Sequence, residues 1–149
     1  MVYTCQYIFI YIFYLKSELD DLIKYRLKKS KETLNDAKIM FEIASLTSTV
    51  NRIYYAMFYA VNGLLLSKNF SSSKHSGVRA LLNKEFINNG LVDKELGKFY
   101  SKIFEERQEG DYKDFAKFNT EVVKNWLNDA EDFINEIEKL TIDIIEKNP

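Results

Sequence analysis

Residues 49–67 read TVNRIYYAMFYAVNGLLLS, and this stretch decides the fold. Ile53, Tyr54, Tyr55, Ala56, Met57, Phe58, Tyr59, Ala60, Val61, Leu64, Leu65 and Leu66 make it apolar nearly all round, with Asn51, Arg52 and Asn62 as its strongly polar residues. A helix apolar on every side belongs at the centre of a bundle. Upstream, apolar residues recur at Leu19, Leu22, Ile23, Leu27, Leu34, Ala37, Phe41 and Ala44. Steps of three, four and seven mark one face of a second long helix. Ser17 with Asp20 reads as its capping box, and Ser45, Thr47, Ser48 and Thr49 read as its stop and as caps for the next helix.

Downstream, the serines of Lys68–Ser76 mark a loop, with Ser73 the N-cap of a short helix carrying Val78, Leu81, Leu82, Phe86 and Ile87. Asn88, Asn89 and Gly90 end that helix. Asp93 caps a fourth helix that turns Leu96, Phe99, Tyr100, Ile103 and Phe104 inward and ends near residues 107–110. A polar connection over 111–117 leads to a last helix, starting near Asn119 or Thr120, with Val122, Val123, Trp126, Leu127, Ala130, Phe133, Ile134, Ile137 and Ile144. The expectation is an all-α, up-and-down bundle of about five helices in one domain over residues 17–149.

Residues 1–16 stand apart. MVYTCQYIFIYIFYL carries no charge before Lys16, and its Tyr, Phe and Ile favour a strand or an irregular arm over a helix. It reads as an apolar extension ahead of the domain or as an arm packed on the domain or a partner. A membrane anchor is disfavoured, because the run is shorter than the roughly 20 apolar residues that span a bilayer. A signal peptide would need a basic start and a small-residue cleavage site, and neither is present. With one cysteine, Cys5, folding does not depend on an oxidising compartment. The expected location is the cytoplasm, with no membrane contact.

Composition narrows the chemistry. One histidine, His75, and one cysteine exclude the usual zinc clusters. The chain has no glycine-rich phosphate loop, no HExxH and no Glu-x-x-His, so neither metal nor cofactor is expected. A net charge of −1 means that any RNA contact needs a local basic patch. Three short runs could build one. Arg52 sits beside the aromatic helix and is a candidate phosphate-binding guanidinium, or a helix-start arginine paired with solvent or a carboxylate. Lys74 and His75 lie at the start of the third helix, where backbone amides could hold an anion or simply be capped. Arg107, Asp111 and Tyr112 cluster where the fourth helix ends, as a catalytic group or as a salt-bridged terminus.

Together, RIYYAMFYA (52–60), KHSGV (74–78) and RQEGDY (107–112), in this order and spacing, resemble the small stand-alone prokaryotic HEPN proteins over roughly residues 25–140. The resemblance implies an up-and-down helical bundle that dimerises. It also implies a toxin-type module, an RNase in many relatives, and in some systems a minimal nucleotidyltransferase partner that transfers AMP to a tyrosine near the motif. The chain departs from the family at one point. Active members carry Arg, four to six residues, then His, whereas none of Arg26, Arg52, Arg79 and Arg107 has a histidine at that offset. Arg107 takes the place of the motif arginine, followed by Asp111 and Tyr112. Three functions remain open: a partner-dependent HEPN module with weak or absent catalysis, a metal-independent RNase toxin using Arg107 with Asp111, Tyr112 or His75, and a structural helical adaptor. Ten tyrosines, eleven phenylalanines and one tryptophan exceed what so small a core readily holds, which points to a two-fold homodimer.

Overall fold

A computed structural model of the chain describes the backbone of residues 2–112 and 118–147, and the side chains of 5–108 and 118–147. Among the described residues the chain forms five α-helices: α1 (Val2–Glu42), α2 (Leu46–Ser67), α3 (His75–Leu82), α4 (Lys94–Tyr112) and α5 (Thr120–Lys147). One π-helical turn, Asn83–Ile87, extends α3. The all-α bundle is as expected, and α2 is its axis. Ile53, Tyr54, Ala56, Met57, Ala60, Val61, Leu64 and Leu65 are all fully buried. The strongly polar residues of α2, Asn51, Arg52 and Asn62, fall on its one half-exposed stripe.

α1 packs along α2, and α5 closes over both. Where α1 crosses α2, Gly63 keeps the helices close: a Cβ there would meet Leu27 Cδ2 at 3.3 Å. Ser30, buried on α1, donates to the Ala56 carbonyl at 2.6 Å, so its hydroxyl enters the core with a partner. α5 turns Val123, Trp126, Leu127, Ala130, Phe133, Ile134 and Ile137 inward. Trp126 is edge-on to Phe118, with ring centres 6.1 Å apart, and Lys102 of α4 lies 5.5 Å from its ring centre. Ion pairs from Lys31 to Glu138 (2.8 Å) and Lys38 to Glu131 (3.0 Å) join α1 to α5 at the surface, each contributing at most about 1 kcal/mol.

The N-terminal stretch corrects the sequence reading. Residues expected as a strand or irregular arm are helical, and α1 runs unbroken through Ser17. A strand needs a neighbour to satisfy its backbone, while a helix already nucleated extends at little cost per residue. Ser17 and Asp20 are therefore interior helix residues and not a capping box. Tyr7 to Leu15 are exposed, between 45% and 74%, so this part of α1 adds nothing to the core. Among the described residues no helix is long and apolar enough to cross a membrane.

Caps divide similarly. Asp93 Oδ1 accepts the Glu95 amide at 2.7 Å, and Asn119 Oδ1 accepts those of Glu121 and Val122, as the sequence indicates. Ser73 does not cap α3. Lys74 holds that position, and its own amide donates to Ser72 Oγ at 3.2 Å. Ser45 sits at the N-cap of α2, but its hydroxyl makes no capping bond. The fourth helix runs on to Tyr112, past its expected end, so Asp111 and Tyr112 are helical; residues 113–117 of the expected connection lie outside the described residues.

Candidate functional site

Tyr54 lies at the centre of the site. It sits mid-core on α2, fully buried, yet its hydroxyl reaches a polar group: His75 Nδ1, 2.7 Å away at the start of α3. The imidazole stacks on Phe58, with ring centres 4.4 Å apart and planes 8° from parallel. Tyr55 meets it edge-on at 5.7 Å. Two α2 side chains one helical turn apart, Tyr54 and Phe58, thus fix a histidine supplied by a different helix.

Arginines gather around these rings. Arg107, on α4, lies with its guanidinium carbon 4.6 Å from the Tyr54 ring centre and 5.6 Å from that of Tyr55. Arg52 lies 5.1 Å from the Tyr55 centre and donates to Asn51 Oδ1 at 2.8 Å. Arg79, four residues after His75 on α3, lies 4.2 Å from the Phe104 ring centre and pairs with Glu105 at 3.5 Å. Each cation–π contact contributes about 0.5–2 kcal/mol and aligns a charge without neutralising it. Three of the chain's four arginines and its single histidine therefore meet at one end of the bundle.

Burial and these cations set the protonation states. Burial, then the charge of Arg107, holds His75 below its ordinary range, so the imidazole is neutral at neutral pH. Burial pushes the Tyr54 phenol up to about 12, against a smaller opposite pull from Tyr100, Arg107 and Arg79. Tyr100 is driven well upward, also chiefly by burial. Its hydroxyl is near enough to Tyr54 to act on its ionisation, yet the two fall short of hydrogen-bond geometry. The site is a set of fixed cations, one of them paired with Glu105, around neutral donors, and suits an anion such as a phosphate.

Of the residues singled out from sequence, the fold brings together Arg107, His75 and Arg52. Lys74 stands exposed at the cap position of α3. The helix carries the backbone through Asp111 and Tyr112, but their side chains lie outside the described residues. Sequence reasoning passed over Tyr54 and Arg79. One signal for such a site was available: from Ile43 to Lys84 the chain has no Asp or Glu, yet carries Arg52, Lys68, Lys74, Arg79 and Lys84. In a chain of net charge −1, that gap marks a basic stretch, from which the fold sets Arg52 and Arg79 at the site, while Lys68 packs over Phe86 at the far end of α2 and Lys84 pairs with Glu85. Among the described residues no group of three or more His, Cys, Asp or Glu is placed to hold a metal ion.

Comparison with known proteins places the chain in a family. The family model for the HEPN domain matches residues 23–140. A Thermotoga maritima relative, named only as a UPF0332 protein, is 49% identical over 128 residues, which cover 86% of this chain and 97% of the relative. Two Methanocaldococcus jannaschii relatives are each named a putative toxin. One is 33% identical, covering 85% of this chain and 84% of its own length; the other is 30% identical, covering 88% and 97%. The chain belongs to the HEPN domain family.

Proposed function

We propose that this chain is the toxin-type HEPN module of a two-component system and that its Arg107–His75 cluster binds and cleaves an RNA phosphodiester without a metal. The observation that carries the reading is the meeting of Arg107, Arg52, Arg79 and His75 around Tyr54, Tyr55 and Phe104. The names of the two archaeal relatives support the toxin part.

In this reading the RNA 2′-oxygen forms a bond to phosphorus as the bond from phosphorus to the 5′-oxygen breaks, leaving a cyclic phosphate. Asp111, four residues beyond Arg107 in α4, takes the 2′-hydroxyl proton, and Tyr112 gives a proton to the departing 5′-oxygen. Arg107 stabilises charge on the phosphorane but cannot serve as the base. Incubation with unstructured RNA tests the scheme. Cleavage should survive chelators and end in cyclic phosphate. Arg107→Ala should reduce the rate by on the order of 10²–10³. A requirement for a divalent ion, or indifference to Arg107, rules the scheme out.

A second reading is favoured by the lack of a histidine four to six residues after Arg107. Here catalysis is weak or absent, and the chain acts through a minimal nucleotidyltransferase. A stable complex with such a protein encoded beside it, together with no cleavage by the pure chain, would select this reading. Both readings place the protein in a two-fold dimer, with the two copies of Arg107 facing one cleft.

A further inference from the structure

The contact between Tyr54 and His75 can be made in two ways. Either the phenol donates to an unprotonated Nδ1, or Nδ1–H donates to the phenol oxygen. The surroundings distinguish them. Tyr54 is fully buried, so its hydrogen cannot go to water. Among the described residues its hydroxyl makes one hydrogen bond, to His75 Nδ1, and the nearby Tyr100 hydroxyl acts on it as a donor does, pulling its pKa down, and not as an acceptor. If Nδ1 held the hydrogen, the phenol hydrogen would be stranded, which is strongly unfavourable for a buried donor. With the phenol donating, both groups are satisfied. The ring cannot readily turn to offer its other nitrogen, because Phe58 lies parallel to one face and Tyr55 stands edge-on.

We propose that Tyr54 is a positioning residue: it donates to His75 Nδ1, keeps the imidazole hydrogen on Nε2, and so makes His75 a neutral hydrogen-bond donor to the RNA phosphate held by Arg107. The proposal rests on the RNA-phosphate reading above and deepens it. The groups facing the imidazole agree with it. Tyr54, Tyr55 and Phe58 come from α2, and Arg107, whose charge acts on the imidazole, comes from α4; Arg52 and Arg79 stand one ring further off, over Tyr55 and Phe104. Arg107 opposes an imidazolium, and Tyr54 and Tyr100 stay protonated. A neutral imidazole with its hydrogen directed to substrate acts as an electrophile and not as a base. That role leaves removal of the 2′-hydroxyl proton to another group, which the scheme above gives to Asp111.

His75 is the only histidine, so the full chain carrying ¹⁵N-histidine gives one imidazole spectrum. Above the imidazole pKa, the hydrogen should reside on Nε2, with Nδ1 shifted as a nitrogen that accepts a hydrogen bond. Tyr54→Phe removes one oxygen and should move Nδ1 to the position of an unbonded nitrogen. A hydrogen on Nδ1 in the unaltered chain, or an imidazole spectrum unchanged by Tyr54→Phe, overturns the positioning role. Cleavage tests the donor role separately. His75→Gln keeps an N–H donor and should retain activity within about tenfold, while His75→Ala should lose on the order of a hundredfold. Equal loss in the two variants overturns the donor role. If the unaltered chain cleaves no RNA, the RNase reading and the donor role fall together, and the spectra still decide what Tyr54 does.

Discussion

His75 carries the clearest consequence at the scale of single residues. Its folded pKa lies below the value of 6.5 that an unfolded chain shows. As pH falls through 6.5, the unfolded chain takes up a proton that the folded chain still refuses, so folding stability drops. The loss continues until the folded imidazole protonates, and it levels off below that pH. Carboxylates titrate in part of this range too, so the useful quantity is the difference between the unaltered chain and His75→Gln. Denaturant unfolding at pH 7.5, 6.5 and 5.5 should show that difference move steadily against the unaltered chain; a constant difference would contradict the lowered pKa. The parts of the site differ in how far sequence reveals them. Arg52 and His75 stand out because charged or titratable residues interrupt an apolar and a serine-rich run, and Arg107 because it clusters with Asp111 and Tyr112 where a helix ends. Tyr54 does not, because apolar periodicity registers its ring and is blind to its hydroxyl. Arg79 becomes visible only once α3 is known to start at His75, since the four-residue step then sets both on one face.

The helix ends form a graded series at the scale of elements. α1, α2 and the turn after α3 each finish with a left-handed residue: Ala44 (φ 59°), Asn69 (φ 61°) and Gly90 (φ 75°). In all three, the next residue's amide reaches back five positions: Ser45 to Met40, Phe70 to Leu65, and Leu91 to Phe86. The closures are the same, but the residues suit them differently. Glycine adopts this conformation freely and asparagine tolerates it, whereas alanine strains there by roughly 1–2 kcal/mol. Ala44→Gly should therefore raise stability by about 1 kcal/mol, after allowing for the extra freedom glycine gives the unfolded chain. Asp93→Ala should lower it by about 1 kcal/mol through loss of the Glu95 amide bond. Equilibrium unfolding measures both. The end at Gly90 was legible because its residue type announces the conformation; the end of α1 was legible from the serine and threonine cluster at 45–49, but not the left-handed turn at Ala44, because alanine is the best helix former. The beginning of α1 misleads for a related reason, since local strand preference says nothing about whether a neighbouring strand exists. A chain beginning at Ser17 loses a stretch whose residues 5–15 are exposed along the helix. It should keep a cooperative thermal transition within a few degrees of the full chain, and a broad, non-cooperative melt would show that the arm supports the fold.

At the scale of the whole molecule, assembly decides how much charge the site can concentrate. One copy offers three arginines at one end of a near-neutral bundle; a two-fold pair facing across a cleft doubles that number without changing the sequence. Sedimentation should give a dimer in the micromolar range, and crosslinks should bring the two α4 helices together. A monomer at high micromolar concentration, or α4 helices on opposite outer faces, would exclude a shared cleft. Such experiments have an optical reporter already in place. Trp126 is the sole indole, 8% exposed, held between Phe118 at the entrance to α5 and Lys102 on α4. Its emission colour registers whether the junction of these two helices is closed against water. Phe118→Ala should redden that emission while leaving Tyr54, His75 and Arg107 untouched, and RNA that tightens the junction should quench or blue-shift it. The residue that seals α5 to α4 thus serves as a built-in dye, able to follow the protein at work without any attached label.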